Sequence, residues 1–200
     1  MKRILTTVVA AACLAGLTAP AGAQGLRITP KVGLYVPLSD LGQAQTTAGL
    51  IAADQTGSLA IGVAAELGLP ALPFDIRANV DYKTGSEIEA DGTVVENVET
   101  KMLAVAGDLV FRLPTLILIQ PYVFGGAGVR QYDFSGDVTE LQDASDPTVH
   151  LGGGVDLSLG VLKLNAELGD YISWYEIQEG ADAEMQHDFF VTLGLVFGLL

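Results

Sequence analysis

The chain has one cysteine and one tryptophan in 200 residues, and only ten Lys and Arg against 24 Asp and Glu. Each shortage excludes something. Cys13 lies in an apolar N-terminal stretch, so a chain cut after residue 23 has no thiol and no disulfide. Beyond that stretch no apolar run reaches the roughly 18 residues a membrane helix needs. The net charge is −14; without Lys2 and Arg3 the remainder carries 8 basic and 24 acidic residues, or −16. Binding phosphates needs positive charge, so nucleic acid is excluded as a partner. There is no G-x-S-x-G elbow and no D-x-[DN]-x-[DN]-G calcium loop.

What the first 23 residues hold is an export signal. Met1-Lys2-Arg3 is a basic start, Ile4 to Leu17 an alanine-rich apolar core, and Ala21-Gly22-Ala23 an A-x-A cleavage site. The reading is a signal peptide over 1–23 and a single domain over 24–200, starting at Gln24. The rival reading is a lipoprotein acylated at Cys13, behind Ala10-Ala11-Ala12 and ahead of the apolar Leu14 to Leu17.

After residue 25 the dominant signal is alternation. Leu59, Ile61, Val63, Ala65, Leu67 and Leu69 share one face of a strand; Ala60, Gly62, Ala64, Glu66 and Gly68 share the other. The same pattern recurs about 26–36, 74–83, 103–113, 119–132, 149–157, 162–168 and 189–197, which makes eight strands. Pro30 fits a closing strand better than a continuous central one. Three connections are short, about 70–73, 114–118 and 160–161. Four are long, about 39–57, 84–98, 133–147 and 173–187. Within the second, Asp91-Gly92 is a hairpin signal, so strands three and four should run on beyond the others. Export and eight alternating strands with short and long connections taking turns predict an all-β fold: an eight-stranded antiparallel up-and-down transmembrane β-barrel in a bacterial outer membrane.

Alternation alone does not say which face is outside. A soluble barrel would turn its polar face to water. Here that face is crowded with small residues (Gly62, Ala64, Gly126, Gly128, Gly152, Gly154), which suits a narrow filled interior. The apolar face carries aromatics in two bands. Tyr82, Trp174 and Phe189 fall at the long-loop ends, and Phe74, Phe111 and Phe197 near the short turns, the girdles a bilayer favours. Tyr122, Phe124 and Tyr171 have the other parity and fill the lumen.

On these residues the chain resembles the eight-stranded outer-membrane barrels of the OmpA, OmpX and OmpW kind. The resemblance rests on Ile28-Thr29-Pro30-Lys31-Val32-Gly33-Leu34-Tyr35, on Pro121-Tyr122-Val123-Phe124-Gly125-Gly126-Ala127-Gly128 and on the last strand. There Thr192-x-Gly194-x-x-Phe197-x-Leu199 is similar to the signal read by the barrel assembly machinery, although Leu199-Leu200 stands where a terminal Phe is usual. The resemblance implies contact with outer-membrane lipid and lipopolysaccharide, and with that machinery. Such families hold adhesins, small-solute channels and structural anchors, so it implies fold and place and leaves activity open.

Chemistry is then sought in the lumen and the loops. The inward face predicts an interior charge network of Glu66, Arg77, Asp108, Arg112, Arg130, Asp156, Lys163 and Glu167. A four-residue turn at 70–73 sets Glu66 opposite Arg77; a two-residue turn at Asp91-Gly92 sets Arg77 diagonal to Asp108; a Gly160-Val161 turn sets Ser158 opposite Lys163, with Asp156 diagonal. The network reads as a plug, or as a gate in a narrow channel for ions or small solutes. The long connections hold 15 acidic residues and no Lys or Arg, among them Glu87, Glu89, Asp91, Glu96, Asp137, Glu140, Asp143, Asp146, Glu176, Glu179, Asp182 and Glu184. They read as a solvated surface, or as a place for divalent cations. A lipid-modifying enzyme would use His150, with Ser145 five residues before it, or His187 beside Asp188. No nucleophile–base pair stands out, so the reading names no catalytic residue, metal site or cofactor. The leading expectation is a structural or surface-interaction role.

Overall fold

In a bilayer each backbone N–H and C=O needs a partner, and strands meet that need only by closing on themselves. These strands close. The computed structural model describes residues 25–38, 43–46, 49–55, 57–69, 72–90, 93–135, 145–175 and 184–199. The expected signal over 1–23 with its cleavage site, and the expected Asp91-Gly92 turn, lie outside the described residues. So do the loop acids Asp137, Glu140, Asp143, Glu176, Glu179 and Asp182, and the side chains of Glu87, Glu89, Glu96, Glu184 and Leu199.

The described strands are β1 (Leu26–Pro37), β2 (Gln43–Thr46), β3 (Gly49–Gln55), β4 (Ser58–Leu67), β5 (Asp75–Ala90), β6 (Thr93–Arg112), β7 (Ile119–Ser135), β8 (Ser145–Leu159), β9 (Leu162–Tyr175), β10 (Glu184–Leu195) and β11 (Phe197–Leu199). β1 pairs with β4 on one side and with β10 and β11 on the other, and each following strand pairs antiparallel with the next. That is a closed up-and-down barrel of eight staves, β10 and β11 forming one.

The break in that last stave has a cause in β1. The β1–β10 and β1–β11 registers are continuous, Lys31 facing Gly194 and Ile28 facing Phe197. The interruption at Val196 falls beside Thr29 and Pro30, and Pro30 has no N–H to give a ladder. Val196 N–H instead donates to the Lys163 carbonyl at 2.8 Å.

Two expectations are corrected here. The first long connection is not all loop: it holds the β2–β3 hairpin, and β3 pairs with β5 beyond the end of β4. The register of β5 and β6 also departs from the two-residue-turn count. It starts as expected, with Ile88 opposite Val95, but shifts between Glu87 and Ile88 and again between Lys83 and Ser86. These irregularities slide the strands by two residues and place Arg77 directly opposite Asp108, not diagonal to it. The β4–β5 register does set Glu66 opposite Arg77, and β8–β9 sets Ser158 opposite Lys163 across a turn in which Gly160 has φ 66°.

The faces sort by parity. Val32, Ile61, Val63, Leu109, Val123, Leu151 and Leu193 are exposed on the outside, although each is apolar. Tyr35, Ala60, Met102, Ala104, Tyr132, Tyr171 and Phe190 pack together inside. The inside is narrow enough to need glycine where large rings cross it. A Cβ on Gly154 would stand 2.5 Å from Tyr122 Oη and 2.6 Å from the Ala166 carbonyl oxygen. Gly154→Val should therefore destabilise the barrel by about 1–3 kcal/mol in urea unfolding, the usual cost of overpacking. No loss would mean that Tyr122 can leave the lumen.

Candidate functional site

The inward positions of the eight staves build one continuous polar column, in three tiers. At the short-turn end Arg27 and Arg112 share the same two carboxylates. Arg27 Nη2 lies 2.6 Å from Glu66 Oε1 and 2.7 Å from Asp75 Oδ2. Arg112 places Nη2 2.6 Å from Glu66 Oε1 and Nε 2.9 Å from Asp75 Oδ2, and its Nη1 reaches Asp156 Oδ2 at 2.8 Å. Lys163 Nζ adds a 3.4 Å contact to Asp156.

The middle tier is drier. Arg77 reaches Asp108 at 2.9 Å and Glu167 at 2.5 Å, with its guanidinium 4.0 Å above the Phe124 ring. Lys31 Nζ is 3.0 Å from Glu167 and 3.1 Å from Asp81, and it donates to Asn79 Oδ1 at 2.9 Å. His150 Nδ1 meets Asp108 Oδ1 at 2.8 Å, and its ring stacks on Tyr171 at 4.0 Å. Tyr122 and Tyr171 donate to Glu167 and Asp81 at 2.7 and 2.8 Å.

At the long-loop end one carboxylate collects the donors. Asp188 pairs with Arg130 and accepts from Tyr35 Oη at 2.5 Å and Tyr132 Oη at 2.9 Å. Lys83 lies over the Tyr35 ring at 4.5 Å, and Arg130 reaches out to Asp146 at 3.6 Å.

Geometry of this kind cannot let an ion through unless it moves. Arg130, Lys83, Tyr132 and Tyr171 are fully buried. The cavity among Lys31, Glu66, Arg77, Tyr122 and Glu167 measures about 10 Å³, room for about one water. Below it the short-turn mouth opens into a vestibule of about 380 Å³ lined by Arg27, Gly68, Leu69, Asp75, Arg112 and Gln120.

The family model for the outer membrane protein beta-barrel domain matches residues 9–197. The chain belongs to that family. Its place is therefore the bacterial outer membrane. Among solved structures, OprG, an outer membrane protein from Pseudomonas aeruginosa, matches with a TM-score of 0.54 at 13% identity, over 88% of this chain and 98% of that one. Neisserial surface protein A matches with a TM-score of 0.52 at 13% identity, over 88% and 97%. No curated protein sequence matches the chain.

Within this outer-membrane barrel the eight expected network residues all face the lumen; the counted neighbours Arg77 and Asp108, and Lys163 and Asp156, do meet, but the counted Glu66–Arg77 pair does not. Glu66 and Arg77 are opposite in register, yet Glu66 bonds Arg27 and Arg112 while Arg77 bonds Asp108 and Glu167. Long side chains lean along their strands, so head groups meet partners several strands away that a ladder register cannot show. Arg27, Lys31, Asp75, Asp81, Lys83 and Asp188 also belong to the column. Their parity placed them inside, and a sharper signal was available. The long connections have no Lys or Arg, so nearly every basic residue had to lie in the strands. Asp146 leaves the loop acids for β8 and the Arg130 contact. The positions expected to form an assembly signal divide by face: Thr192 is buried inside, Gly194 pairs with Lys31, Phe197 is exposed outside, and the Leu199 backbone pairs with Leu26.

The histidines also separate. His150 is buried in the lumen, whereas Ser145 sits on the outer face of the same strand, so the two cannot act together. His187 is on the outer face, bonded to Asp170 at 2.7 Å.

Proposed function

We propose that this barrel is a sealed scaffold with a structural or surface-interaction role, and that its long acidic connections are the part other molecules meet. The carrying observation is the charge division. Seven of the eight basic residues after residue 23 (Arg27, Lys31, Arg77, Lys83, Arg112, Arg130 and Lys163) are spent inside the lumen, among eight carboxylates. Only Lys101 is left to offset the other 16 acidic residues of the chain. A column built this way fills and rigidifies a narrow lumen, and it leaves the remaining surface strongly anionic. Such a surface suits cationic partners, or divalent cations bridging it to lipopolysaccharide. The last strand serves the barrel assembly machinery, with Thr192, Gly194, Phe197 and Leu199 as the recognition pattern. No catalytic role is proposed: His150 is held between Asp108 and Tyr171, out of reach of lipid.

The second reading is a narrow channel whose gate is the Arg27–Arg112 cluster. It is favoured by the open vestibule of about 380 Å³ that ends on that cluster. Planar-bilayer recording of the purified barrel separates the two. The sealed scaffold should give no steady unit conductance, and mobility that changes with heating on a gel would show that silent samples are folded. A reproducible conductance step would reject the scaffold and favour the channel.

A further inference from the structure

The lumen holds two apolar clusters, and they differ in span. Val110, Tyr122 and Phe124 come from the neighbouring strands β6 and β7 and cover one side of the bore. The other cluster takes Tyr35 from β1, Ala60 from β4, Ala104 from β6, Tyr132 from β7, Tyr171 from β9 and Phe190 from β10, six of the eight staves. The remaining two, β5 and β8, lay Lys83 on its Tyr35 ring at 4.5 Å and His150 on its Tyr171 ring at 4.0 Å. Phe190 meets both of those rings edge-on, at 5.4 and 5.6 Å. Strand β6 lies four staves from β10 whichever way round the barrel is counted, and it gives the cluster Met102, Ala104 and Ala106. A large ring thus enters the bore from one wall, and two of the three side chains that the opposite wall brings are methyl groups. Phe190 has no polar atom, and the tyrosine hydroxyls are spent on the tiers. Tyr35 and Tyr132 give theirs to Asp188, and Tyr171 gives its own to Asp81.

We infer that this layer, centred on Phe190, is what seals the lumen, and that the ion pairs of the tiers are not the seal. The inference rests on the sealed-scaffold reading and names the groups that do the sealing. The difference lies in what a passing ion would meet. In the tiers a carboxylate has several donors. Glu66 Oε1 takes Arg27 and Arg112, both at 2.6 Å, and Glu167 takes Lys31, Arg77 and Tyr122. The donors in turn have second acceptors: Arg27 also holds Asp75, and Arg112 also holds Asp156. A small cation can replace one donor there and leave neither partner bare, so exchange can carry it past the ion pairs. The Phe190 layer offers no such exchange. An ion entering it must shed water and touch ring and methyl carbon across most of the bore, and an unpaired charge in apolar surroundings is far too costly. Apolar constrictions stop ions by excluding water, with no charge in the way. The alanines opposite make the layer depend on one ring. With Phe190 cut back to a methyl, Ala60 and Ala104 cannot reach in to refill it, and the space left admits a few waters.

Planar-bilayer recording of the full barrel tests this, with heat-dependent gel mobility as the check that each variant is folded. Phe190→Ala should show steady unit steps that the parent lacks. Phe190→Leu keeps apolar volume in the layer and should stay silent. Phe190→Ala combined with Ala104→Phe should fall silent again, because the ring is returned from the opposite wall. That rescue separates an opened seal from a barrel that leaks because it is loosened. Met102→Ala thins the layer from the β6 side and repeats the test, with the same steps expected, should Phe190→Ala not fold. Silence of the parent and of folded Phe190→Ala alike would overturn the inference and leave the sealed scaffold standing. So would steps in Arg112→Gln with Phe190 in place, because the ion pairs would then be the seal. Steps in the parent itself would reject the sealed scaffold, and the Phe190 seal with it.

Discussion

Arg77→Met should destabilise the barrel by about 3–5 kcal/mol in urea unfolding, the typical cost of breaking a buried ion pair from one side. Arg77 is the junction of the middle tier, holding Asp108 and Glu167 on two other strands. Its loss leaves both carboxylates in a lumen with little water. The tier offers partial cover: Glu167 keeps Lys31 and Tyr122, and Asp108 keeps His150. The single loss should therefore lie toward the lower end of the range. The sharper quantity is the coupling in double-mutant cycles. Arg77→Met combined with Asp108→Asn should recover part of the loss, giving a coupling within about 0.5–3 kcal/mol. Arg77→Met combined with Glu66→Gln should be close to additive, although Glu66 faces Arg77 across the β4–β5 ladder just as Asp108 faces it across the β5–β6 ladder, because Glu66 is held by Arg27 and Arg112. The reverse ordering would mean that Arg77 holds Glu66 and not Asp108, against the head-group contacts.

That contrast marks how far the sequence carries. Strand parity is a period-2 property of the chain itself, so the lumen position of Glu66, Asp108, Arg130 and Glu167 could be read without coordinates. The closed antiparallel order also followed from the alternation of short and long connections. Register across a turn could be counted where the turn is tight, as at Gly160-Val161. It failed where bulges intervene, as between Lys83 and Ser86, although Gly85 inside that stretch is the kind of residue that marks a bulge. Partner choice inside the lumen was the least legible. Arg77 to Glu167 joins β5 to β9 across the barrel, a contact set by tilt, stagger and rotamer together. The hairpin β2–β3 was missed because Gln43-Ala44-Gln45-Thr46 carries neither alternation nor a strong turn signal.

Val63→Arg should cost about 2–4 kcal/mol, while Leu113→Arg should cost only about 0–1 kcal/mol. Both side chains are apolar, exposed and on the same outward face, at 41% and 49%. They differ in depth. Val63 stands midway along β4, in a row with Pro30 on β1 and Val80 on β5, where lipid would surround a guanidinium with nothing to solvate it. Leu113 lies below Phe111 at the inner girdle, where an arginine can snorkel to the headgroups. The two variants should be compared by urea unfolding of barrels folded into vesicles, with Val63→Leu as a control for volume. If the apolar face were inward, as in a soluble barrel, Val63→Arg would bury a charge in a packed core and Leu113→Arg would do the same. Two losses of similar size would therefore reject the membrane orientation. A large loss at Val63 with a small one at Leu113 is the signature of a bilayer, because a core has no depth profile and a membrane does.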